Sequence, residues 1–194
     1  MSLQKLIRHF SAIETLPIDV NDVATQVKAL GIQDEIRFIP VEMNTDVIRG
    51  NIHRYTLPAL AYKEPCRCAD IYYDGQQSDD WKRLVCCKEL VHLFDPAGST
   101  VKNKDDLRRQ VEKIVLPSEF QDPVDDGLKV ITDRLATYYA AAILLPLAAR
   151  ALLLPAIDDG KLTVEDVGRI ADIPTRYAAL VLSAGWAKLH PLMV

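Results

Sequence analysis

Residues 135–149, LATYYAAAILLPLAA, carry no charged side chain and are bounded by Arg134 and Arg150. Such a run is driven out of water, so any fold of this chain has to bury it. Its fifteen residues fall short of the ~20 that a helix needs to span hydrocarbon. Pro146 interrupts it and Pro155 follows soon after. The expectation is a core helix over 125–145, not a membrane span. The rest of the chain must then supply the faces that cover it. With 194 residues, 49% hydrophobic and 26% charged, the chain reads as one domain of ordinary globular composition over 1–194.

The net charge of −4 offers no basic excess of the kind that nucleic acid or an anionic membrane attracts. The N-terminal stretch MSLQKLIRHFSAIETLP is broken by Lys5, Arg8 and Glu14. It has no apolar core of signal-peptide length. The four cysteines form two local pairs, Cys66/Cys68 and Cys86/Cys87. That is too sparse for a disulfide scaffold, and the pattern reads as reduced thiols in a cytoplasmic protein.

Apolar spacing at Leu3, Leu6, Ile7, Phe10 and Ile13 predicts a first amphipathic helix, stopped before Pro17. A second is expected over 20–30, with Asp19 or Asn21 as its cap and Gly31 at its end. From 32 to 74 the short runs IRFIPV, VIRGNIHRY, ALAY and ADIYYD, broken by Pro40, Gly50, Pro58 and Pro65, predict a small twisted sheet of three or four strands. Helical periodicity returns over 80–94 behind Asp79 and Asp80, which suit a helix N-terminus. A charged, solvated helix is expected around 104–115. Two short helices, 163–171 and 174–183, close the chain as a helix-turn-helix-like pair within 158–190. The fold class expected is α+β, mostly helical.

The third helix contains Lys88-Glu89-Leu90-Val91-His92. In a zincin the pattern H-E-x-x-H puts two imidazoles on one helical face around zinc, while the glutamate polarises the metal-bound water. Here Lys88 stands in the place of the first histidine. Read with its neighbours, WKRLVCCKELVHLFD resembles the segment R-F-T-L-A-H-E-L-G-H-L-L of the ImmA/IrrE-type zinc metallo-endopeptidases. Three further pieces agree in order. VIRGNIHRY resembles the family's v-R-G strand region, and ADIYYD the strand along its cleft. DRLATYYAAAILLP resembles the later helix E-x-E-A-N-x-F-A-A-x-L-L-M-P. The resemblance implies a zincin-like core over 32–150, with the C-terminal helix pair packed on it.

The resemblance also implies zinc held by both motif histidines and a carboxylate that aligns with Leu135. Lys88 and Leu135 therefore replace two of the three protein ligands. An ammonium has no lone pair to give, leucine cannot coordinate, and His92 alone makes too few ligands. Cys87 and Cys86 are no substitutes, because they lie about 140° and 120° around a regular helix from His92. They read as small packing residues. Asp133 and Asp95 are the acids within reach by spacing, but one imidazole with carboxylates makes a poor zinc site. Two readings of Lys88 stand. Either its ammonium takes the place of the metal charge and pairs with Glu89, Asp133 or Asp95, or it points to solvent from a decayed cleft.

Other constellations carry less. Cys66 and Cys68 with Cys86 and Cys87 lack C-x-x-C spacing, and Cys87 with His53 has no nucleophile signature. Gly50, Gly75 and Gly98 are isolated, so there is no phosphate loop. In the C-terminal pair, Thr163 and Asp166 can form a capping box, and Val164, Val167, Ile170, Tyr177, Leu180 and Val181 a shared core. Five acids against four basic residues between Asp158 and Lys188 argue against groove binding. The expectation is a degenerate, non-catalytic metallopeptidase-like protein. It would need no cofactor and would bind a protein or peptide partner, such as a bacterial or phage-type transcriptional repressor. The alternatives are an active zinc endopeptidase, with Glu89 as general base and His92 a ligand, and a DNA-binding regulator acting through the C-terminal pair.

Overall fold

In the computed structural model, residues 3–46, 48–58, 65–95 and 125–194 are described, with side chains from 132 onward in the last stretch. The first two helices follow their apolar stripes. α1 (Leu3–Ser11) buries Leu6, Ile7 and Phe10. α2 (Val20–Ala29) buries Val23 and Val27. Asp19 caps α2 by accepting from the Asn21 N–H, and Gly31, at φ 98, lets the chain leave through a left-handed turn.

The β-leaning region forms three strands: β1 (Glu35–Val41), β2 (Gly50–Leu57) and β3 (Cys66–Asp74). The ALAY run lies outside the described residues. β3 is central, parallel to β1 and antiparallel to β2, with Ile71 opposite both Phe38 and Ile52. Alternation sends Ala69, Ile71 and Ile52 into the core and Asp70 to the opposite face. There Asp70 receives Arg37 Nε at 2.7 Å and the Tyr55 and Tyr72 hydroxyls at 3.3 Å.

α3 (Asp79–Val91) runs on into a 3-10 turn, His92–Phe94. This helix is the hub, packing on β2 and β3 on one side and on α2 and α4 (Asp125–Leu144) on the other. The middle of the apolar run is buried as expected, while Leu135 and Leu147 near its ends stay exposed. Ala140, Ala141, Ala142, Ile143, Leu144 and Leu145 are each 1% exposed or less, so this end of α4 is enclosed on every side. The helix ends at the Pro146 break, as the sequence predicts. Pro146 cannot continue the hydrogen-bond ladder, and the chain turns by 74° into α5 (Leu147–Asp158), which the sequence reading left unassigned. No single helix among the described residues is long and apolar enough to cross a membrane. The helix expected over 104–115 lies outside the described residues.

The closing pair is α6 (Val164–Ala171) and α7 (Thr175–Leu182), followed by a short α8 (Trp186–Leu189) and a 3-10 turn (His190–Leu192) that the sequence reading did not anticipate. The capping box forms, with Thr163 and Asp166 satisfying each other's backbone N–H. Val167 and Val181 are fully buried, but Ile170 is 40% exposed and does not join the shared core. Val167 and Ala171, four residues apart, define the inward face. Ile170 lies about 100° away from Ala171 around the helix. The pair is tied to the hub by Arg83 Nε, which donates to the Asp172 carbonyl at 3.1 Å.

Gly50 is the closest approach of sheet to hub. A Cβ there would lie 2.2 Å from Val85 Cγ1 and 3.0 Å from the Tyr72 carbonyl oxygen. Gly50→Ala is therefore expected to cost about 1–3 kcal/mol in urea unfolding. Gly185→Ala is the control. That backbone is already helical, at φ −65 and ψ −28, with only Ser183 Oγ at 3.8 Å. It is expected to be neutral, or stabilising by up to about 1 kcal/mol.

Candidate functional site

Lys88, in the last turn of α3, and His92, which opens the 3-10 turn continuing it, are four residues apart and project to one side. Helix α4 crosses that side and brings Asp133 to meet both. Lys88 Nζ lies 2.8 Å from Asp133 Oδ1 and 2.9 Å from Glu89 Oε1. His92 Nε2 lies 3.6 Å from the same Asp133 oxygen, and His92 Nδ1 lies 2.7 Å from Asp95 Oδ2. Of the two readings of Lys88, the solvent-pointing one does not hold, since the side chain is only 15% exposed. Its partners are Glu89 and Asp133; Asp95 instead holds His92. Leu135, two residues beyond Asp133, is turned about 160° around α4 from it and is 39% exposed.

The electrostatics follow from these contacts. Burial by itself would lower the Lys88 pKa, but the Glu89 and Asp133 carboxylates outweigh it and raise it. Burial works the same way on His92. Its bonds to Asp133 and Asp95 prevail over burial and over the repulsion of Lys88, and its pKa rises to about 9. The Asp133 carboxyl is held well below its ordinary value despite burial, by the His92 bond and the Lys88 charge. At neutral pH the cluster thus holds two cations, Lys88 and His92, against Glu89, Asp95 and Asp133. Glu89 is 3% exposed. Its Oε1 accepts no well-aligned hydrogen bond among the described residues, so the Lys88 charge is what compensates it.

This donor set does not fit zinc. Lys88 is an ammonium, and both nitrogens of the protonated His92 face carboxylates. Among the described residues no three His, Cys, Asp or Glu side chains are grouped to hold a metal ion. The cysteines do not repair the set. Cys86 and Cys87 are buried in the core, and burial pushes the Cys86 thiol up to about 12 and the Cys87 thiol up as well. Cys68 lies on the sheet face turned away from α3. His53 pairs in register with Asp70 on that face and stacks on Tyr55 at 5.2 Å, which keeps it apart from Cys87.

Two supports escaped the sequence reading. Gly50, read there as a strand break and an isolated glycine, lets β2 press on α3 at Val85, one turn before Glu89; a Cβ would meet Val85 Cγ1 at 2.2 Å. Arg54 donates to the Leu93 carbonyl at 3.4 Å and is itself held by Asp34 at 3.1 Å. It thereby fastens the turn that joins His92 to Asp95. The alternation of β2 places Arg54 on the core face, but nothing local in the sequence identifies Asp34, 2% exposed, as its partner.

No family model matches this chain, and no curated protein matches it.

Two outcomes are expected of the cluster. Because the folded pKa of His92 lies above its ordinary 6.5, at about 9, its pairing stabilises fully below pH about 6.5. That stability is lost as pH rises through about 9. The window corresponds to on the order of 3 kcal/mol. NMR titration of the His92 ring should give a midpoint near 9, and His92→Gln should flatten the fall in unfolding free energy between pH 6.5 and 9. Lys88→Met strands a buried Glu89 and should cost about 3–5 kcal/mol in denaturant unfolding. Adding Glu89→Gln should recover much of that loss.

Proposed function

We propose that this chain is a degenerate relative of the ImmA/IrrE-type metallo-endopeptidases, with a zincin-like core, that binds a protein or peptide partner and does not cleave it. One observation carries the reading. The ammonium of Lys88 sits on Glu89 and Asp133 at the point where side chains four apart on α3 would gather a metal ion. A fixed cation there neutralises the carboxylates that a catalytic zinc would otherwise balance. It also leaves Glu89 with no metal-bound water to deprotonate. The order of elements, a strand abutting the motif helix through Gly50 and a later helix crossing it at Asp133, supports the same family. By that likeness the partner is a transcriptional regulator of the repressor type, engaged on the α3 side of the molecule.

Metal analysis of the purified full chain tests this. The parent protein is expected to carry no stoichiometric zinc and to leave unfolded protein substrates intact when zinc is added. Lys88→His restores two imidazoles four residues apart and should gain zinc binding by calorimetry that the parent lacks. Near-stoichiometric zinc in the parent, lost in His92→Ala, would overturn the reading. So would zinc-dependent cleavage abolished by Glu89→Gln, which would identify an active endopeptidase. A sequence-selective, salt-dependent DNA shift would move the function to α6 and α7.

A further inference from the structure

Seven residues before Lys88, and so within about 20° of it around α3 and about 10 Å along the axis, stands Trp81. Two arginines from distant parts of the chain converge on its ring. The Arg49 guanidinium carbon lies 4.1 Å from the indole centroid, and that of Arg176 lies 4.4 Å away. Arg176 also lies 4.7 Å from the Tyr177 ring and donates to Tyr177 Oη at 2.8 Å. Tyr177 meets Trp81 edge-on at 5.9 Å. Arg49 directly precedes Gly50, the residue pressed against Val85, and Arg176 lies in the first turn of α7. Arg49 thus leads into β2, and Arg176 is carried on helical backbone.

These two guanidiniums have no carboxylate partner among the described residues. The acids next to Trp81 and Arg176 in sequence have other partners. Asp79 pairs with Lys82 and Asp172 with Arg83, while Asp80 accepts from the Trp81 N–H. Arg37, Arg54, Arg67, Arg83 and Arg169 all have carboxylates, and Arg150 has carbonyls. Arg8 and Arg134 have neither, but each is a single exposed charge with no ring beside it. A cation over an aromatic face gains about 0.5–1 kcal/mol when exposed, and Arg49 and Arg176 each lie over the Trp81 ring. Two there repel each other. Each guanidinium has five N–H donors in a planar fork that matches an oxyanion, and a ligand oxyanion would relieve the repulsion.

We propose that Arg49 and Arg176, held on Trp81, form an oxyanion-binding site for a carboxylate or phosphate group of a ligand. The site stands independently of the metal-replacement reading of Lys88.

The test is titration of the full chain with sodium phosphate and, separately, sodium acetate at constant low ionic strength. Indole fluorescence and the arginine Nε–H resonances are followed together. The chain has two tryptophans, and Trp186 is 1% exposed, so a surface ligand reports through Trp81. A saturable change is expected that Arg134→Gln retains and the double variant Arg49→Gln/Arg176→Gln loses while keeping its melting temperature. Saturation by phosphate alone assigns a phosphate ligand; saturation by acetate assigns a carboxylate. If the double variant does not fold, Arg176→Gln alone, on the exposed side of α7, is expected to weaken binding about tenfold, the loss of one charge-assisted contact. No saturable change with either anion, or one that survives these substitutions, overturns the proposal.

Discussion

The contact between α3 and α4 is the constraint on which the rest of the structure depends. Ala136 and Ala140 sit on the same side of α4 as Asp133, three and seven residues on, and both are buried. Small side chains there let α4 close on α3 near Cys87, whose Sγ lies 4.0 Å from the Ala140 carbonyl oxygen. That close crossing carries the Asp133 carboxylate to Lys88 and His92. The apolar end of α4 supplies the driving force, because Ile143, Leu144 and Leu145 are removed from water completely. Burial of an uncharged run thus positions a cluster of five charged side chains.

A buried ion pair is a poor source of stability by itself, since removing two charges from water costs as much as their attraction returns. In the function proposed above, its value is in standing where a metal charge would otherwise be. With Lys88 seated, Glu89 is compensated without a metal, and His92 is held as an imidazolium between two aspartates. The same i, i+4 spacing that suits a zinc site serves an all-protein charge network once one imidazole becomes an ammonium. The network also draws on the sheet. Gly50 lets β2 close on α3 at Val85, one turn before Glu89, and Arg54, held by Asp34, fastens the turn that presents Asp95.

Much of the fold was legible in local pattern. The stripes of α1 and α2, the α3 periodicity, the three strands and the capping box at Thr163 each follow from a rule acting within one or two turns of chain. The misreadings came where local rules compete with packing. Pro146 marks the end of α4 in the sequence, but nothing local assigns the helix that resumes beyond it, turned by 74°. Ile170 looked like a core residue by hydrophobicity, but Val167 and Ala171 set the inward face. The helix expected over 104–115 lies outside the described residues.

The sequence by itself determined that the uncharged run 135–149 would supply core, that Lys88 and His92 would lie one helical turn apart, and that an ammonium and a leucine offer zinc no lone pair. These follow from side-chain chemistry and helical period alone. Only the tertiary structure decided between two fates for Lys88, chose Asp133 and Glu89 as its partners, gave Asp95 to His92, and drew Arg49 and Arg176 onto Trp81. Lys88 and Asp133 are 45 residues apart. Their meeting depends on how two helices cross, which is set by the shape and volume of the buried side chains between them and leaves no periodic trace in the sequence.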